Sequence, residues 1–223
     1  EYKHLAFIKE LESENIPVFN SSSSTQLTKD KLHTFQVLKK FGIPTPKTML
    51  VSYPLDLDTI EKEIGFPCVV KVITGSYGSG VQLIESKKVL KDFLTFVKAT
   101  KPKRSLIIQE FVKEKIGTDL RVWCIDGTVV GVMQRSNPSD FRANVSIGGT
   151  GTPYPITSEI RDIANRVMTA FGLHFAGIDL LFGKDGFKVC EVNSSPGFEG
   201  MEKYCCVLIA EAIAKFIKDS IKY

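Results

Sequence analysis

Two carboxylates and one amide lie in neighbouring strand-like runs near the end of the chain, at Asp179, Glu191 and Asn193. The residues between the runs, Gly-Lys-Asp-Gly at 183–186, are typical of a tight turn in which glycine can adopt a positive φ. With a three-residue loop at 184–186, counting back along both strands places Asp179 directly opposite Glu191. Asn193 shares the face of Glu191, because side chains two apart on a strand point the same way.

Two facing carboxylates repel each other, and this repulsion raises the pKa of one of them unless a cation lies between them. The simplest such cation is a hard divalent ion, which takes carboxylate and amide oxygens and leaves its other positions for water and phosphate oxygens. The spacing alone fits an exposed acidic hairpin without a metal equally well. Residues elsewhere in the chain are needed to distinguish these two interpretations.

A lysine and a glycine-rich segment come earlier in the chain. Lys71 lies within 68–73, an apolar run typical of a buried strand. A buried ammonium group is strongly destabilising unless it is paired, so we expect a partner for Lys71. The next segment, Gly-Ser-Tyr-Gly-Ser-Gly at 75–80, precedes a second predicted strand, and backbone N–H groups of such a loop can converge on phosphate. Its spacing matches neither the P-loop nor the dinucleotide fingerprint, so a flexible turn is the alternative.

Two further groups could contact an anion. Lys31 falls in the first turn of a helix that we expect Thr28 to cap, where the helix dipole disfavours a cation unless an anion is bound nearby. The segment 140–149 combines Arg142 and Asn144 with paired glycines, and arginine binds phosphate or carboxylate with two N–H groups. A solvated lysine and a solvated loop are the respective alternatives.

The elements that position these groups begin with a hairpin at Asp-Gly 126–127, the strongest short-range turn signal in the chain. On a two-residue turn Asp119, Arg121 and Trp123 share one face of their strand. Arg135 then falls on the other face unless a β-bulge intervenes.

The remaining elements follow from hydrophobic periodicity. Ser86 is a predicted N-cap, 106–112 is a predicted strand, and the serine run at 21–25 is predicted to be a surface loop. Helices are predicted over 160–171 and 210–221, and we expect both of their apolar stripes to lie in the core.

Composition narrows the class of protein. The chain has 223 residues, 43% of them hydrophobic, which is enough for a large core in one or two domains, and a net charge of +4. Five cysteines without C-x-x-C spacing predict reduced thiols in a cytoplasmic protein, and no apolar run reaches the roughly 20 residues of a membrane span. The mild charge suits an anionic ligand, whereas a single tryptophan gives little support for nucleic-acid binding.

The order of these motifs resembles the ATP-grasp superfamily, and most closely its RimK-like glutamate ligases, from residue 20 onward. The most specific parts of the resemblance are Gln109-Glu110-Phe111, Asp119-Leu120-Arg121, Asp140-Phe141-Arg142-Ala143-Asn144 with Gly148-Gly149, and Glu191-Val192-Asn193-Ser194-Ser195-Pro196-Gly197. The resemblance implies an α+β ATP-grasp fold, in which two α/β subdomains with antiparallel sheets clasp ATP.

The resemblance also implies roles for individual residues. The ATP-binding residues are expected to be Lys31, Lys71, Gly75, Ser76, Gly78, Gly80, Gln109, Glu110, Phe111, Val112, Asp119, Arg142, Ala143 and Asn144. Of these, the catalytic residues are expected to be Lys71, Arg142 and Asn144. The expected metal ligands are Asp179, Glu191 and Asn193, holding two Mg²⁺ ions that Mn²⁺ can replace.

The implied reaction joins a carboxylate to an amine through an acyl phosphate and releases ADP and phosphate. The loop at 194–200 is most similar to that of RimK, which implies addition of L-glutamate to the C-terminus of a ribosomal protein or a similar peptide. Arg121 and Arg135 suit an acidic acceptor tail. The alternatives are a different small-molecule or carrier acceptor of the same ligase type, and an ATP-binding regulatory module without catalysis.

The expected organisation has three parts. Residues 1–27 are the end of a pre-ATP-grasp domain and a linker, 28–114 form the first subdomain with Lys71 and the glycine-rich loop, and 115–223 form the second subdomain on the metal and substrate side. Family members usually begin with a further domain that we expect to be missing here, which leaves open whether this chain is active alone. The expected partners are glutamate or another amino acid, an acidic peptide or protein C-terminus, and further copies in a homo-oligomer, with no membrane or nucleic acid.

Overall fold

A computed structural model describes residues 2–75, 80–101 and 103–221, except for the side chain of Tyr2. Its helices are α1 (Tyr2–Ser13), α2 (Ser22–Lys29), α3 (Lys31–Lys40), α4 (Leu57–Glu63), α5 (Lys87–Thr100), α6 (Ser158–Phe171), α7 (Glu199–Cys205) and α8 (Ile209–Ser220), with a 3₁₀ turn at Val145–Ile147. Its strands are β1 (Thr48–Leu50), β2 (Cys68–Val72), β3 (Val81–Ile84), β4 (Leu106–Glu110), β5 (Thr118–Ile125), β6 (Thr128–Ser136), β7 (Thr150–Pro153), β8 (Phe175–Gly183) and β9 (Gly186–Asn193).

The first sheet has the strand order β1-β4-β2-β3 and is antiparallel throughout. Cys68 and Val70 of β2 pack with Leu90 and Leu94 of α5, because alternate residues of a strand point to the same side. Lys71 therefore points to the opposite side, away from α5. The four residues 68–71 are all buried.

The second sheet has the strand order β7-β6-β5-β8-β9 and is also antiparallel. Leu120 and Val122 of β5 and Ile178 of β8 form its apolar face, which packs in one cluster with Ile163 and Val167 of α6. The side chains between them, among which is Asp179, point to the other face. One face of this sheet is thus core, and the other carries charge beside a second apolar cluster that contains Trp123 and Met201.

The turn between β8 and β9 is shorter than predicted, and a β-bulge follows it. Gly183 pairs with Gly186, so the loop contains two residues rather than three. Taken alone this would set Asp179 opposite Cys190, but the register shifts between Asp179 and Leu180, and Asp179 stands opposite Glu191 as predicted. The extra residue of the bulge, Cys190, compensates for the shorter loop. The pairing that was predicted from a longer loop is therefore present.

A second bulge decides the position of Arg135. The two-residue turn after β5 is confirmed, and the register shifts between Trp123 and Cys124. This shift places Arg135 directly opposite Asp119, on the same face of the sheet. The β-bulge that the prediction for Arg135 required, if Arg135 was to share the face of Asp119, is therefore present.

Three predictions about helices need correction. The serine run is not a loop: Ser22 and Ser24 are buried in α2, whose N-cap is Ser21. The cap of α3 is Asp30 rather than Thr28, since the Asp30 carboxylate accepts the N–H of His33 at 3.0 Å, although Lys31 does lie in the first turn. Ala210 and Ala214 of α8 are exposed, unlike the predicted stripe.

The other helix predictions hold. Ser86 caps α5, and the buried stripe of α6 ends at Gly172, which has a positive φ of 61°. No helix in the described ranges is long and apolar enough to cross a membrane.

Asn20 joins the N-terminal segment to the second sheet. Its amide nitrogen donates to the carbonyls of Phe175 at 2.8 Å and Ser194 at 2.7 Å. Its amide oxygen accepts the N–H groups of His174 at 2.6 Å and Phe175 at 3.0 Å. Asn20 is only 6% exposed, so water does not replace these bonds when the side chain is lost.

We expect Asn20→Ala to lower the free energy of unfolding by about 2–4 kcal/mol, because it leaves buried backbone groups without partners. Urea denaturation measures the change. Asn165→Ala, at an exposed position of α6, is the control and should change the same quantity by less than about 0.5 kcal/mol. Similar values for the two variants would contradict a structural role for the Asn20 network.

Candidate active site

A cleft between the two sheets collects most of the predicted site residues. Its empty space, including the solvent at its mouth, is about 910 Å³. The predicted residues that line it are Lys31, Lys71, Gly75, Gln109, Glu110, Phe111, Val112, Asp119, Arg142, Ala143, Asn144, Asp179 and Glu191. Among the described residues, Asn193 borders the adjoining basin instead, and Gly80 lines neither space. Ser76 and Gly78 lie outside the described residues.

Lys71 reaches the cleft from β2 and has neutral partners. Its ammonium group donates to the amide oxygen of Gln109 at 2.7 Å and to the thiol of Cys190 at 3.5 Å. Gln109 is fixed in turn by donating to the hydroxyl of Thr48 at 3.0 Å. In the described part of the chain, Lys71 pairs with no carboxylate, although it is only 8% exposed. Its position is thus fixed while its charge remains available to an anion.

Cys190 is the bulge residue of β9, and sequence analysis did not identify it as part of the site. Burial raises the pKa of the Cys190 thiol, even though the neighbouring Lys71 ammonium opposes that shift. The thiol therefore stays protonated at neutral pH and does not neutralise Lys71. Only the register shift of the hairpin brings Cys190 to this position, and the sequence carries no signal for that shift.

Lys31 enters the same space from the first turn of α3. Its ammonium group donates to the carbonyl of Gly75 at 2.7 Å and lies 3.6 Å from a carboxylate oxygen of Glu191. Lys31 thus connects the start of the glycine-rich segment with the acidic hairpin.

One end of the cleft has apolar walls. Val69 and Leu181 line it from the two sheets, and the rings of Phe111 and Phe141 meet edge to face with 6.2 Å between their centroids. Strand β4 ends at Glu110, whose side chain forms an ion pair with Lys188 of β9. The chain beyond β4 can therefore present backbone groups to a flat ring held between apolar walls.

Arginines and aspartates alternate on the charged face of the second sheet. Arg135 donates from Nε and Nη2 to the two oxygens of Asp119, each at 2.7 Å, and its Nη2 lies 3.0 Å from Asp179. The two carboxylates hold the pKa of Arg135 above its ordinary value, so the guanidinium stays charged. Arg135 is 4% exposed and engaged by both aspartates, so it is not accessible to an acidic acceptor tail as the sequence had suggested.

Asp179 also contacts Arg121, which was predicted to share the face of Asp119. Nη2 of Arg121 donates to Oδ2 of Asp179 at 3.1 Å, and its Nε lies 2.7 Å from Oδ1. The Nε–H is poorly aligned with Oδ1, and among the described residues no hydrogen bond reaches this buried oxygen. Oδ1 of Asp179 is thus in charge contact with Arg121 but accepts no hydrogen bond from the described residues, so a metal ion there would compete with the Arg121 guanidinium.

The residues of the acidic hairpin fit a magnesium ion in chemical type. Asp179 and Glu191 face each other, and Asn193 directs its N–H toward the carbonyl of Gly177 at 3.4 Å, so the amide oxygen is the atom it can offer. Within the described ranges no three His, Cys, Asp or Glu side chains form a metal-binding group. A cation here thus needs Asn193 and oxygens from a bound phosphate, which is the mixed ligation that Mg²⁺ favours.

The Arg142 segment is held by a residue that sequence analysis had not assigned a role. Asp140 accepts the backbone N–H of Arg142 at 2.8 Å and its Nε and Nη2 groups at 3.0 and 2.7 Å. These hydrogen bonds lower the pKa of Asp140 and raise that of Arg142. Gly149 permits the fold of this loop, since a Cβ there would lie 2.3 Å from the carbonyl oxygen of Ala143.

A polar basin adjoins the cleft and was not predicted as a unit. It shares Lys31, Gly75, Asn144 and Glu191 with the cleft. The other residues that line it are His4, Thr28, Lys29, Arg121, Asn193, Ser194, Ser195, Pro196 and Gly197. A hydrogen bond of 2.9 Å between the hydroxyls of Thr28 and Ser194 joins α2 to the loop after β9. The site thus consists of a half-apolar cleft and a polar basin with common residues between them.

Comparison with known proteins matches this architecture to one family. Residues 28–217 match the RimK-like ATP-grasp domain. The chain is 39% identical over 219 residues to a probable alpha-L-glutamate ligase of Coxiella burnetii, and 35% identical over 219 residues to probable alpha-L-glutamate ligase 2 of Shewanella denitrificans. Each match covers 97% of this chain and 72% of the relative.

Solved structures share the fold at lower identity. A RimK-domain ATP-grasp protein of Sphaerobacter thermophilus has a TM-score of 0.76 at 21% identity, covering 96% of this chain and 76% of that protein. The D-alanine–D-alanine ligase of Bacillus anthracis has a TM-score of 0.71 at 23% identity, covering 92% and 68%. The ATP-grasp ligase PsnB, solved with a variant of its minimal precursor, Mg and ADP, has a TM-score of 0.76 at 22% identity, covering 99% and 68%. These likenesses confirm the predicted α+β ATP-grasp fold.

We expect Arg135→Met to lower the free energy of unfolding at pH 7 by about 3–5 kcal/mol, because it leaves Asp119 buried without its counter-charge. Burial raises the pKa of Asp119 and the Arg135 guanidinium opposes this shift, so without the guanidinium the folded pKa lies further above its unfolded value. A raised folded pKa gives stability that is lost as pH rises, so the deficit of the variant should be smaller at pH 5 than at pH 7.

Urea denaturation at the two pH values measures this effect. The matched control is Arg161→Met, at an exposed position of α6, which should change the free energy of unfolding by less than about 0.5 kcal/mol at both. A deficit of Arg135→Met that grows as the pH falls would show that the pair is not held as described.

Proposed function

The chain belongs to the RimK-like family of ATP-grasp ligases, and from this premise we propose that it adds L-glutamate to the C-terminus of an acidic peptide or protein. The observation that carries the proposal is the opposition of Lys71 to Asp179 and Glu191 across one cleft. A buried cation with neutral partners suits phosphate oxygens, and a pair of facing carboxylates suits the divalent ion that accompanies them.

We assign the nucleotide to the cleft. The apolar walls, Val69 and Leu181, suit the faces of a purine, and the backbone from Glu110 to Val112 suits its edge. The phosphates would then extend toward Lys71 and Lys31. Residues 76–79 of the glycine-rich segment, which we expect to contact phosphate, lie outside the described residues. Asp119, expected among the ATP-binding residues, is the proposed ribose or hinge contact, although Arg135 already donates to both of its carboxylate oxygens.

Asp179, Glu191 and Asn193 would hold magnesium, which would supply charge neutralisation on the phosphates. The number of ions and the replacement by Mn²⁺ remain parts of the proposal. The buried Oδ1 of Asp179, which no hydrogen bond from the described residues reaches, supports this assignment.

The proposed reaction has two steps. A carboxylate oxygen of the acceptor forms a bond to the γ-phosphorus of ATP, and the bond from that phosphorus to the β-γ bridging oxygen breaks, giving an acyl phosphate and ADP. The amine of glutamate then forms a bond to the acyl carbon and loses a proton, and phosphate leaves. Lys71, Arg142 and Asn144 act by positioning and by stabilising charge on the phosphoryl group, and no covalent bond to the protein is needed.

The substrate assignment rests on relatives and on charge. The curated relatives are named probable alpha-L-glutamate ligases, and PsnB is an ATP-grasp ligase solved with a precursor peptide. The basin beside the cleft carries Lys29, Lys31 and Arg121, which suit carboxylate groups. A ribosomal protein is the specific acceptor that we propose, as the loop after β9 suggests, and a homo-oligomer stays a prediction. All five cysteines are free thiols, which supports a reducing compartment such as the cytoplasm.

Mass spectrometry after incubation with Mg²⁺, ATP and glutamate, with and without a peptide ending in acidic residues, tests the proposal. We expect added glutamate on the peptide together with release of ADP. Asp179→Asn and Glu191→Gln should each lower ADP release at least about a hundredfold, because each removes a charged metal ligand. Asp185→Asn, in the turn of the same hairpin, is the control and should retain activity.

Full ADP release by Asp179→Asn and Glu191→Gln would contradict the metal assignment. Nucleotide binding without any product would contradict the proposed substrates and favour a different acceptor or a non-catalytic ATP-binding module.

The neutral partners of Lys71 generate a second test. We expect Gln109→Glu to raise the Kd for a non-hydrolysable ATP analogue about tenfold, because the new carboxylate pairs with Lys71 while the side chain keeps its shape. Titration calorimetry measures the Kd. Thr48→Val, which removes the other hydrogen bond of Gln109 without changing any charge, should alter it much less. Equal effects of the two variants would show that the charge of Lys71 does not contribute to nucleotide binding.

A further inference from the structure

Each carboxylate proposed to hold metal is already paired with a cation of the chain. Asp179 contacts Arg121 at 2.7 Å and Arg135 at 3.0 Å, and Glu191 lies 3.6 Å from Lys31. A free divalent ion therefore meets carboxylates whose charge is largely compensated, and it has to compete with these side chains.

The three cations differ in how firmly they are held. Arg135 is 4% exposed and engages Asp119 with two further hydrogen bonds, so it cannot leave without exposing a second buried carboxylate. The side chain of Arg121 is 15% exposed, makes one hydrogen bond to Asp179, from Nη2 at 3.1 Å, and has no other carboxylate partner among the described residues; its Nε contact with Asp179 lacks hydrogen-bond alignment. Arg121 is therefore the partner of Asp179 that can be exchanged.

The backbone leaves a space for the guanidinium of Arg121. Gly177 lies across from Trp123 on the same face as Arg121, and a Cβ at Gly177 would lie 2.6 Å from Nη1 of Arg121 and 2.6 Å from the ring of Pro196. The space thus opens between β8 and the loop after β9. That loop and Arg121 both line the polar basin.

The basin is suited to a carboxylate. Lys29, Lys31 and Arg121 line it, and Glu191 is the acidic residue among its described lining residues. The hydroxyl group of Ser195 and the amide of Asn144 add hydrogen-bonding groups beside these cations. The chemistry therefore matches an amino acid or peptide with a free carboxylate, next to the residues assigned to the phosphates.

We propose that Arg121 is a specificity-determining residue with two positions: it neutralises Asp179 in the empty enzyme, and it turns into the basin to bind the substrate carboxylate once Asp179 is engaged by the metal–nucleotide complex. This inference rests on the proposed function, since it takes the amino acid and the nucleotide from it. Metal–nucleotide and carboxylate substrate then bind with positive coupling, because occupation of Asp179 frees the group that the carboxylate needs.

Binding measurements on the intact chain test this proposal without turnover. Titration of Mn²⁺ alone, followed by electron paramagnetic resonance, reports the competition at Asp179. Titration calorimetry of glutamate, with and without Mg²⁺ and a non-hydrolysable ATP analogue, reports the coupling. In the wild-type protein we expect the Mg²⁺–analogue complex to tighten glutamate binding about tenfold.

Arg121→Met should shift the two measurements in opposite directions. Mn²⁺ alone should bind about tenfold more tightly, because its competitor is gone, and the tightening of glutamate binding by the Mg²⁺–analogue complex should disappear. Arg121→Lys should restore part of both wild-type values, since it keeps the charge. Arg161→Met, at an exposed position of α6, is the control and should leave both values unchanged.

Weaker or unchanged Mn²⁺ binding in Arg121→Met would overturn the exchange, and so would retained coupling in a variant whose thermal unfolding remains cooperative. If Arg121→Met does not fold, Arg121→Lys is measured instead. Wild-type coupling together with wild-type Mn²⁺ binding in Arg121→Lys would then contradict the proposal. If the wild-type protein binds no glutamate in any state, the substrate part is wrong together with the proposed amino acid. The Mn²⁺ titration still decides the exchange in that case, so the two failures are distinguishable.

Discussion

The two ion pairs of Arg135, with Asp119 and with Asp179, are the interaction on which the site depends. They lie on the central strands of the second sheet, opposite the face that packs on α6. Two carboxylates can be buried there because the guanidinium of Arg135 pairs with both, and Arg121 adds a second cation beside Asp179. This arrangement lets the sheet carry an apolar core on one side and a fixed row of charges on the other, and it sets the position of Asp179 toward the cleft.

Local patterns predicted much of this framework. The Asp-Gly turn before β6, the stripe of α6 that ends at Gly172 and the alternation along β2 are encoded within short windows, where turn chemistry and side-chain period act directly. The opposition of Asp179 and Glu191 was also predicted, but only because two differences of one residue cancel. The loop is one residue shorter than predicted, and a bulge at Cys190 adds one residue to β9. Sequence pattern does not encode a bulge, because one extra residue leaves the composition of a strand unchanged.

The sequence did not predict which side chains pair with each charged residue of the site. Lys71 was expected to need a partner, yet one of its two partners, Cys190, is 119 residues away and reaches it only through the β9 bulge. Asp140 lies two residues from Arg142 and was still not assigned a role, since an aspartate in a loop has no periodic signal. Arg135 was predicted to bind an acidic substrate. That prediction was wrong because the buried position of Arg135 depends on the second bulge, which the sequence does not encode. These contacts follow from tertiary packing, which overrides local preference.

The distribution of charges gives a physical reason to expect that the proposed nucleotide and its metal bind to the cleft together better than either component alone. The first sheet presents Lys71 with neutral partners, so its charge is open to phosphate. The second sheet presents Asp179 and Glu191 with cationic partners, so their charges are largely closed to a free metal ion. A phosphate chain that drew Lys31 away from Glu191 would leave this carboxylate unpaired, and a metal ion carried by the same ligand could then pair with it. Since the two kinds of group lie on different sheets, a ligand carrying both phosphates and metal is the one that contacts both walls, and its binding also links the two halves of the fold.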